Sequence, residues 1–245
     1  MLKIMIVGAT SAIAHETARN FAADGASFYL VARSQPKLDS IAADLQAYGA
    51  QQVHCTVLDM NNLEAHPQLL ANASDALNGL DVLFMAHGTL GDQHTSQASF
   101  DVTMQEFNTN FLSAASLLTD AANYFEKQRR GVIAVISSVS GDRGRASNYV
   151  YGTAMAAKTT FLSGLRNRLA KSGVQVVTIK PGFVDTPMTA DFPKNALFAS
   201  PAQVGKDIYT GMKNGHGVIY TPFYWRYIMW IIRAVPEPIF KRLSL

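Results

Sequence analysis

Cysteine occurs once in the 245 residues, at Cys55. A single thiol closes no internal disulfide and seeds no cysteine metal cluster, so disulfide scaffolds and zinc-ribbon folds are excluded. Charge is also scarce, at 16% of residues, and 21 basic against 18 acidic side chains leave a net charge of only +3. No basic run exceeds Arg129-Arg130, which gives a nucleic acid no electrostatic footprint. Long apolar runs are missing too. The nearest, Phe223 to Val235, is interrupted by Arg226 and Arg233, and a span needs about 18 uninterrupted residues. The opening Ile4-Met5-Ile6-Val7 ends at Gly8, too short for a secretory core. A soluble cytoplasmic protein is expected. What is plentiful is apolar side chain, 48% of residues, enough for a substantial core and unlike a disordered chain.

Short apolar runs recur at Ile4 to Val7, Phe28 to Val31, Val53 to Val57, Val82 to Ala86, Val132 to Ile136, Val176 to Ile179 and Val218 to Tyr220. Most are continuous rather than alternating, as strands buried on both faces read. Helical patterns lie between them. Ser34 precedes Pro36, with Leu38, Ile41 and Leu45 on one face, and Ser200-Pro201-Ala202-Gln203 reads as a capping box. Alternating strands and helices predict an α/β chain: one Rossmann-type, doubly wound parallel sheet of about seven strands, spanning residues 1–221, with a tail over 222–245.

The first strand runs into Gly8-Ala9-Thr10-Ser11-Ala12-Ile13-Ala14, a small-residue turn opening a helix. Such a turn brings backbone N–H groups and the positive helix end to a pyrophosphate, although an ordinary tight turn has the same look. Arg33 follows the second strand, where an acidic residue would hold the 2′-hydroxyl of NAD and an arginine suits the 2′-phosphate of NADP. It also fits a solvated loop. Asp59, after the third strand, has two readings: an adenine contact, or a helix-entry aspartate ahead of Asn61 and Leu63.

Strand five ends in Ile136-Ser137-Ser138, and twelve residues separate Ser138 from Tyr151, which opens a helical pattern through Phe161, Leu165 and Leu169. Hydroxyls at the carboxyl end of a parallel strand face the ligand crevice of such sheets. There a tyrosine can exchange a proton with a substrate oxygen that the serine holds. After strand six, Pro181-Gly182-Phe183-Val184-Asp185-Thr186 forms an extended loop suited to a flat amide ring.

On these segments, together with Asn110 in Phe107-Asn108-Thr109-Asn110-Phe111, the chain resembles the short-chain dehydrogenase/reductase family of the classical type, from Met1 to about Thr221. The resemblance implies hydride transfer between a nicotinamide cofactor and a carbonyl or alcohol. It casts Tyr151 as general acid or base, Ser138 as the group polarising the carbonyl, and Asn110 as holder of a helix bend and a relay water. It places Gly8, Thr10, Ser11, Ile13, Arg33, Asp59, Ala86, Gly88, Met155, Pro181, Gly182, Val184 and Thr186 around the cofactor. It favours NADP over NAD and pairing into a homodimer or homotetramer through the helices bearing Asn110 and Tyr151. A narrower similarity is to reductases of a polyprenyl-phosphoryl keto-pentose, on Thr89 to Gln93, the Pro181 loop and the tail.

The chain departs from the family where it matters most. The lysine usual four residues after the tyrosine is Met155, which offers neither charge nor donor, and the nearest substitute is Lys158. That substitution is expected to be poor, which leaves a slow enzyme or a cofactor-binding protein with a sensor or assembly role. Ala12 and Ala14 replace glycines of the cofactor turn, and His87 reads as a strand-end residue rather than a base. In the tail, Arg226, Trp230 and Arg233 form one helical stripe, while Tyr224, Ile228, Ile231 and Val235 line another side. That pattern suits peripheral contact with a bilayer, packing against a sister subunit, or a lid over the pocket.

Overall fold

A computed structural model describes residues 1–243; Ser244 and Leu245, the end of the expected tail, lie outside the described residues. Seven parallel strands form one sheet: β1 Lys3–Val7, β2 Ser27–Ala32, β3 Val53–Val57, β4 Val82–Met85, β5 Gly131–Ile136, β6 Val174–Pro181 and β7 Val218–Thr221. Their order is β3-β2-β1-β4-β5-β6-β7, the doubly wound Rossmann arrangement, with the chain reversing direction across the sheet between β1 and β4. The central strands are buried on both faces, which is why their sequences read as unbroken apolar runs; β3, at the edge, is half-exposed.

Helices α1 Ala12–Ala23 and α2 Gln35–Ala47 cover one face, joined there by the later α8 Pro201–Lys213. The other face is covered by α3 His66–Leu77, α6 Ser113–Gln128 and α7 Tyr149–Leu169. Between β4 and α6 lie α4 Gln93–Ala98 and α5 Phe100–Phe107, then one π turn over Asn108–Leu112. Helix α8 rides directly on α1, and a Cβ at Gly205 would lie 2.8 Å from the Glu16 and Thr17 backbone. After β7 the chain forms α9 Trp225–Ala234 and α10 Glu237–Phe240.

Two helix starts differ from their sequence signatures. Ser200 accepts from the Gln203 amide at 3.2 Å, but the Gln203 side chain turns to Asp207 at 2.8 Å, so only half of the expected capping box forms. Ser34 precedes α2 without a side-chain capping bond, Pro36 having already set the first turn. No helix among the described residues is long and apolar enough to cross a membrane.

Candidate active site

At the carboxyl end of β1, Gly8 has φ +79°, and a Cβ there would lie 2.5 Å from the His87 amide nitrogen. Only glycine fits, because the turn is in the left-handed region and pressed against the β4 segment. Ser11 starts α1, donating its amide to the Gly8 carbonyl at 2.9 Å while its hydroxyl makes no capping bond. The first turn of α1 carries no acidic side chain, leaving a positive helix end. Thr10 is exposed, Ser11 and Ile13 are half-buried, and Ala14 is buried against the core. Arg33 is exposed one residue past β2 and, among the described residues, forms no ion pair. Asp59 is exposed, and its carboxylate accepts the Asn61 amide at 2.9 Å, forming the turn that enters α3.

Beside this turn, Ala86 and Gly88 continue from β4, half-buried. The Asn110 side chain, buried on the π turn, accepts the Thr89 amide at 2.9 Å and donates to Glu106 at 2.9 Å. A Cβ at Gly88 would lie 2.6 Å from the Asn110 carbonyl oxygen. Asn110 thus ties the post-β4 loop to the widened helix turn, where π turns frequently mark functional sites. His87 donates from Nε2 to Ser113 at 2.9 Å, since the Ser113 hydroxyl already gives its proton to the Thr109 carbonyl at 2.8 Å. Its Nδ1 is buried without a partner. Burial, then the charge of Lys158, push the His87 pKa down to about 3, so this ring is neutral and no base near neutrality.

The Ser138 hydroxyl, just past β5, accepts the Ser140 amide at 3.1 Å and lies close enough to the Tyr151 hydroxyl to favour its ionised form. The two meet because the loop lies directly on α7: a Cβ at Gly141 would fall 2.7 Å from the Met155 carbonyl carbon, and one at Gly152 3.0 Å from the Ser140 carbonyl oxygen. Ser137 adds a tether, donating to the Met155 carbonyl at 3.0 Å. Burial raises the Tyr151 pKa above the ordinary phenol value; Ser138 opposes this and the Glu106 charge adds to it. A phenol in that state gives up a proton reluctantly.

Met155 is buried one turn beyond Tyr151 and supplies no charge to counter that rise. Lys158 is also buried, at 2% exposure, with its ammonium donating to the Ile136 carbonyl at 3.3 Å and, among the described residues, no carboxylate in ion-pair reach. Side chains on a helix lean toward its N-terminus, which brings this ammonium back toward the end of β5. Burial lowers the Lys158 pKa to about 8. Holding this group charged below pH 8 costs stability, and the cost disappears as pH rises toward the unfolded lysine value of about 10.4. Lys158→Met is therefore expected to stabilise the fold by about 3 kcal/mol at pH 7 and by little above pH 10, as urea unfolding at the two pH values would measure. An equal effect at both would refute the assignment.

Past the end of β6, the Gly182 amide donates to the Thr221 carbonyl at 3.0 Å, with Pro181 and Val184 buried and Thr186 half-buried. A Cβ at Gly182 would fall 1.9 Å from the Trp225 indole, so glycine lets α9 seat against the loop. Sequence reasoning missed several residues here. Asp142 pairs with Lys180 through one carboxylate oxygen and accepts the Tyr220 hydroxyl on the other at 2.7 Å, fastening the Ser138 loop to β6 and β7. Arg143 donates to the Ile232 and Val235 carbonyls, each at 2.6 Å, and pins the tail to the same loop. These partners are 38 and about 90 residues apart, beyond any local signal. Among the described residues no cluster of His, Cys, Asp or Glu is arranged to hold a metal ion.

Ser138 and Tyr151 at the carboxyl end of β5, and the glycine turn and helix start at the carboxyl end of β1, lie along the same edge of a Rossmann sheet. The chain belongs to the short chain dehydrogenase family, whose model matches residues 3–196. It is 34% identical over 240 residues to an uncharacterized oxidoreductase of Mycobacterium tuberculosis, covering 98% of this chain and 96% of that protein. It is 33% identical over 245 residues to an uncharacterized oxidoreductase of Streptomyces coelicolor, covering 98% and 95%. Its fold matches a crystal structure of a tryptophan variant of actinorhodin polyketide ketoreductase with NADPH. The TM-score is 0.78 and the identity 20%, over 89% of this chain and 95% of that one.

Proposed function

We propose that the protein reduces a ketone to a secondary alcohol with NADPH, slowly, through Tyr151 and Ser138. The observation that carries this reading is Ser138, at the carboxyl end of β5, placed where it acts on the Tyr151 hydroxyl, with the Ser138 loop packed directly on α7. The residues around the crevice fit a nicotinamide dinucleotide. Gly8 leaves backbone room that a Cβ would fill, the first turn of α1 has no acidic side chain, and Arg33, with no ion pair among the described residues, suits a 2′-phosphate. The first turn of α1 would hold the pyrophosphate, Asp59, Ala86 and Gly88 would border the nucleoside parts, and Pro181 to Thr186 would hold the nicotinamide. The bound group supplies a hydride to the carbonyl carbon. Ser138 orients and polarises the carbonyl oxygen, which takes its proton from Tyr151 as the hydride arrives, leaving a phenolate that solvent reprotonates. The packing of the Ser138 loop on α7 and the Ser137 tether position these groups; the chain offers no lysine one turn past the tyrosine to ease the transfer.

The substrate class in this reading is a polyoxygenated ketone such as a keto-sugar, free or lipid-linked. Gln93 Nε2, Arg145 Nε and Asn148 Oδ1 are buried without partners, while Arg145 and Asn148 also donate to Ser140, two residues from Ser138. Donors and acceptors left open beside the pair suit a substrate with several oxygens. A second reading follows from Met155 and the raised Tyr151 pKa: a protein that binds the cofactor and turns over too slowly for metabolism, serving as a sensor or assembly partner. A homodimer or homotetramer formed through α6 and α7 is part of either reading.

Both readings require cofactor binding. At a hundredfold excess over Kd, NADPH is expected to stabilise the fold by about 2.7 kcal/mol, with NADH weaker, as thermal unfolding would record. No shift with either nucleotide would overturn both. A shift accompanied by ketone-dependent NADPH oxidation supports the reductase, and a shift without it supports the second reading.

A further inference from the structure

We infer that the C-terminal tail docks this protein flat on an anionic lipid bilayer, with α9 lying in the headgroup layer. Residues 1–221 carry equal numbers of acidic and basic side chains, so the whole net charge of +3 resides in the tail: Arg226, Arg233, Lys241 and Arg242 against Glu237. Glu237 is already committed, paired with Arg143 at 3.0 Å. The free charge of this segment is therefore cationic throughout.

Helix α9 has two apolar faces. One seats Trp225, Met229, Ile228 and Ile232 against Val139, next to Ser138, and Phe183 in the loop after β6. The other, formed by Tyr227, Trp230, Ile231 and Ala234 at helical spacings of three and four residues, faces outward, and Phe223 precedes it in the leading turn. Phe223 is 73% exposed, Trp230 72% and Ile231 58%. Ile239 and Leu243 add exposed apolar side chains in the turns that follow. Large aromatic and aliphatic groups flanked by arginines suit the boundary between acyl chains and anionic headgroups. In a second copy the tail is equally cationic, so two tails facing each other would repel.

The tail is held as a rigid platform rather than left free. Arg143 lies 3.5 Å from the Phe240 ring centroid and donates to the Ile232 and Val235 carbonyls, so the loop after Ser138 and the tail move together. Docking would set the crevice mouth at the bilayer surface. This inference stands on charge and exposure alone and needs no turnover.

The experiment is co-sedimentation of the full chain with vesicles of phosphatidylcholine and phosphatidylglycerol, and with phosphatidylcholine alone. Quenching of tryptophan emission by brominated acyl chains is read in parallel. There are two tryptophans, and Trp225 is buried, so quenching reports on Trp230. The expected result is binding to the anionic vesicles with quenched emission. Binding should weaken at least about tenfold in Arg226→Glu/Arg233→Glu, each such side chain being worth about 1 kcal/mol at an anionic surface. It should also be lost in Trp230→Glu/Ile231→Glu, whose unfolding curve controls for folding. Absence of binding, or binding that the arginine variant leaves unchanged, would overturn the proposal. So would a Trp230→Glu/Ile231→Glu variant that only lowers the oligomer mass in light scattering, since the face would then belong to a second copy.

Discussion

Exchanging the two residues in Met155→Lys/Lys158→Met is expected to raise ketone-dependent NADPH oxidation about 100-fold, a gain of about 2.7 kcal/mol in the transition state. Position 155 is one turn from Tyr151 on the same helix face, where an ammonium favours the phenolate that burial now disfavours. The same exchange removes the buried charge that rests on the Ile136 carbonyl. Met155→Lys alone should gain less, because two buried ammoniums three residues apart repel each other. The pH profile provides a second readout. With the phenol pKa lowered, the alkaline limb of the reduction rate should move to lower pH, a displacement that a purely structural repair would not produce. Steady-state rates across pH for the three proteins check this. Equal turnover in all of them would show that Met155 does not limit the site.

Tyr151→Phe is expected to lower turnover by about 10²–10⁴ while leaving NADPH-dependent thermal stabilisation intact. The hydroxyl is the one group placed to give a proton to a carbonyl oxygen held by Ser138, since His87 is neutral with its pKa pushed down to about 3. The substitution deletes one oxygen from a half-buried ring and leaves the apolar packing of α7 in place. It is best measured in the Met155→Lys/Lys158→Met background, where the signal is larger. Retained turnover would move the proton donor elsewhere, to solvent or another side chain of the site.

The parts legible in the sequence are those whose physics is local. Strands such as Phe28 to Val31 and Val132 to Ile136 are unbroken apolar runs because helices cover both faces, and the structure extends each by only a residue or two. Gly8 and the interval from Ser138 to Tyr151 are equally local, each set by one turn or one loop. The remainder depends on distant partners. Nothing near Asp142 announces Lys180, and nothing near Arg143 announces the carbonyls of α9. The short α4 and α5 carry a weaker apolar pattern, and the π turn at Asn108–Leu112 becomes visible only through the bonds of Asn110 to Thr89 and Glu106. Lys158 is the instructive case. Its position in sequence says only that it lies three residues past Met155, whereas its burial and its carbonyl partner say where the ammonium goes.

The most direct test follows the transferred atom itself. The protein is incubated with a ketone and with NADPH deuterated at the hydride-donating carbon, and the alcohol is examined by mass spectrometry. Deuterium on the carbinol carbon, present in the natural sequence and absent in Tyr151→Phe over the same time, is the predicted result. Alcohol without deuterium, or none formed even by Met155→Lys/Lys158→Met, would contradict hydride transfer at this site.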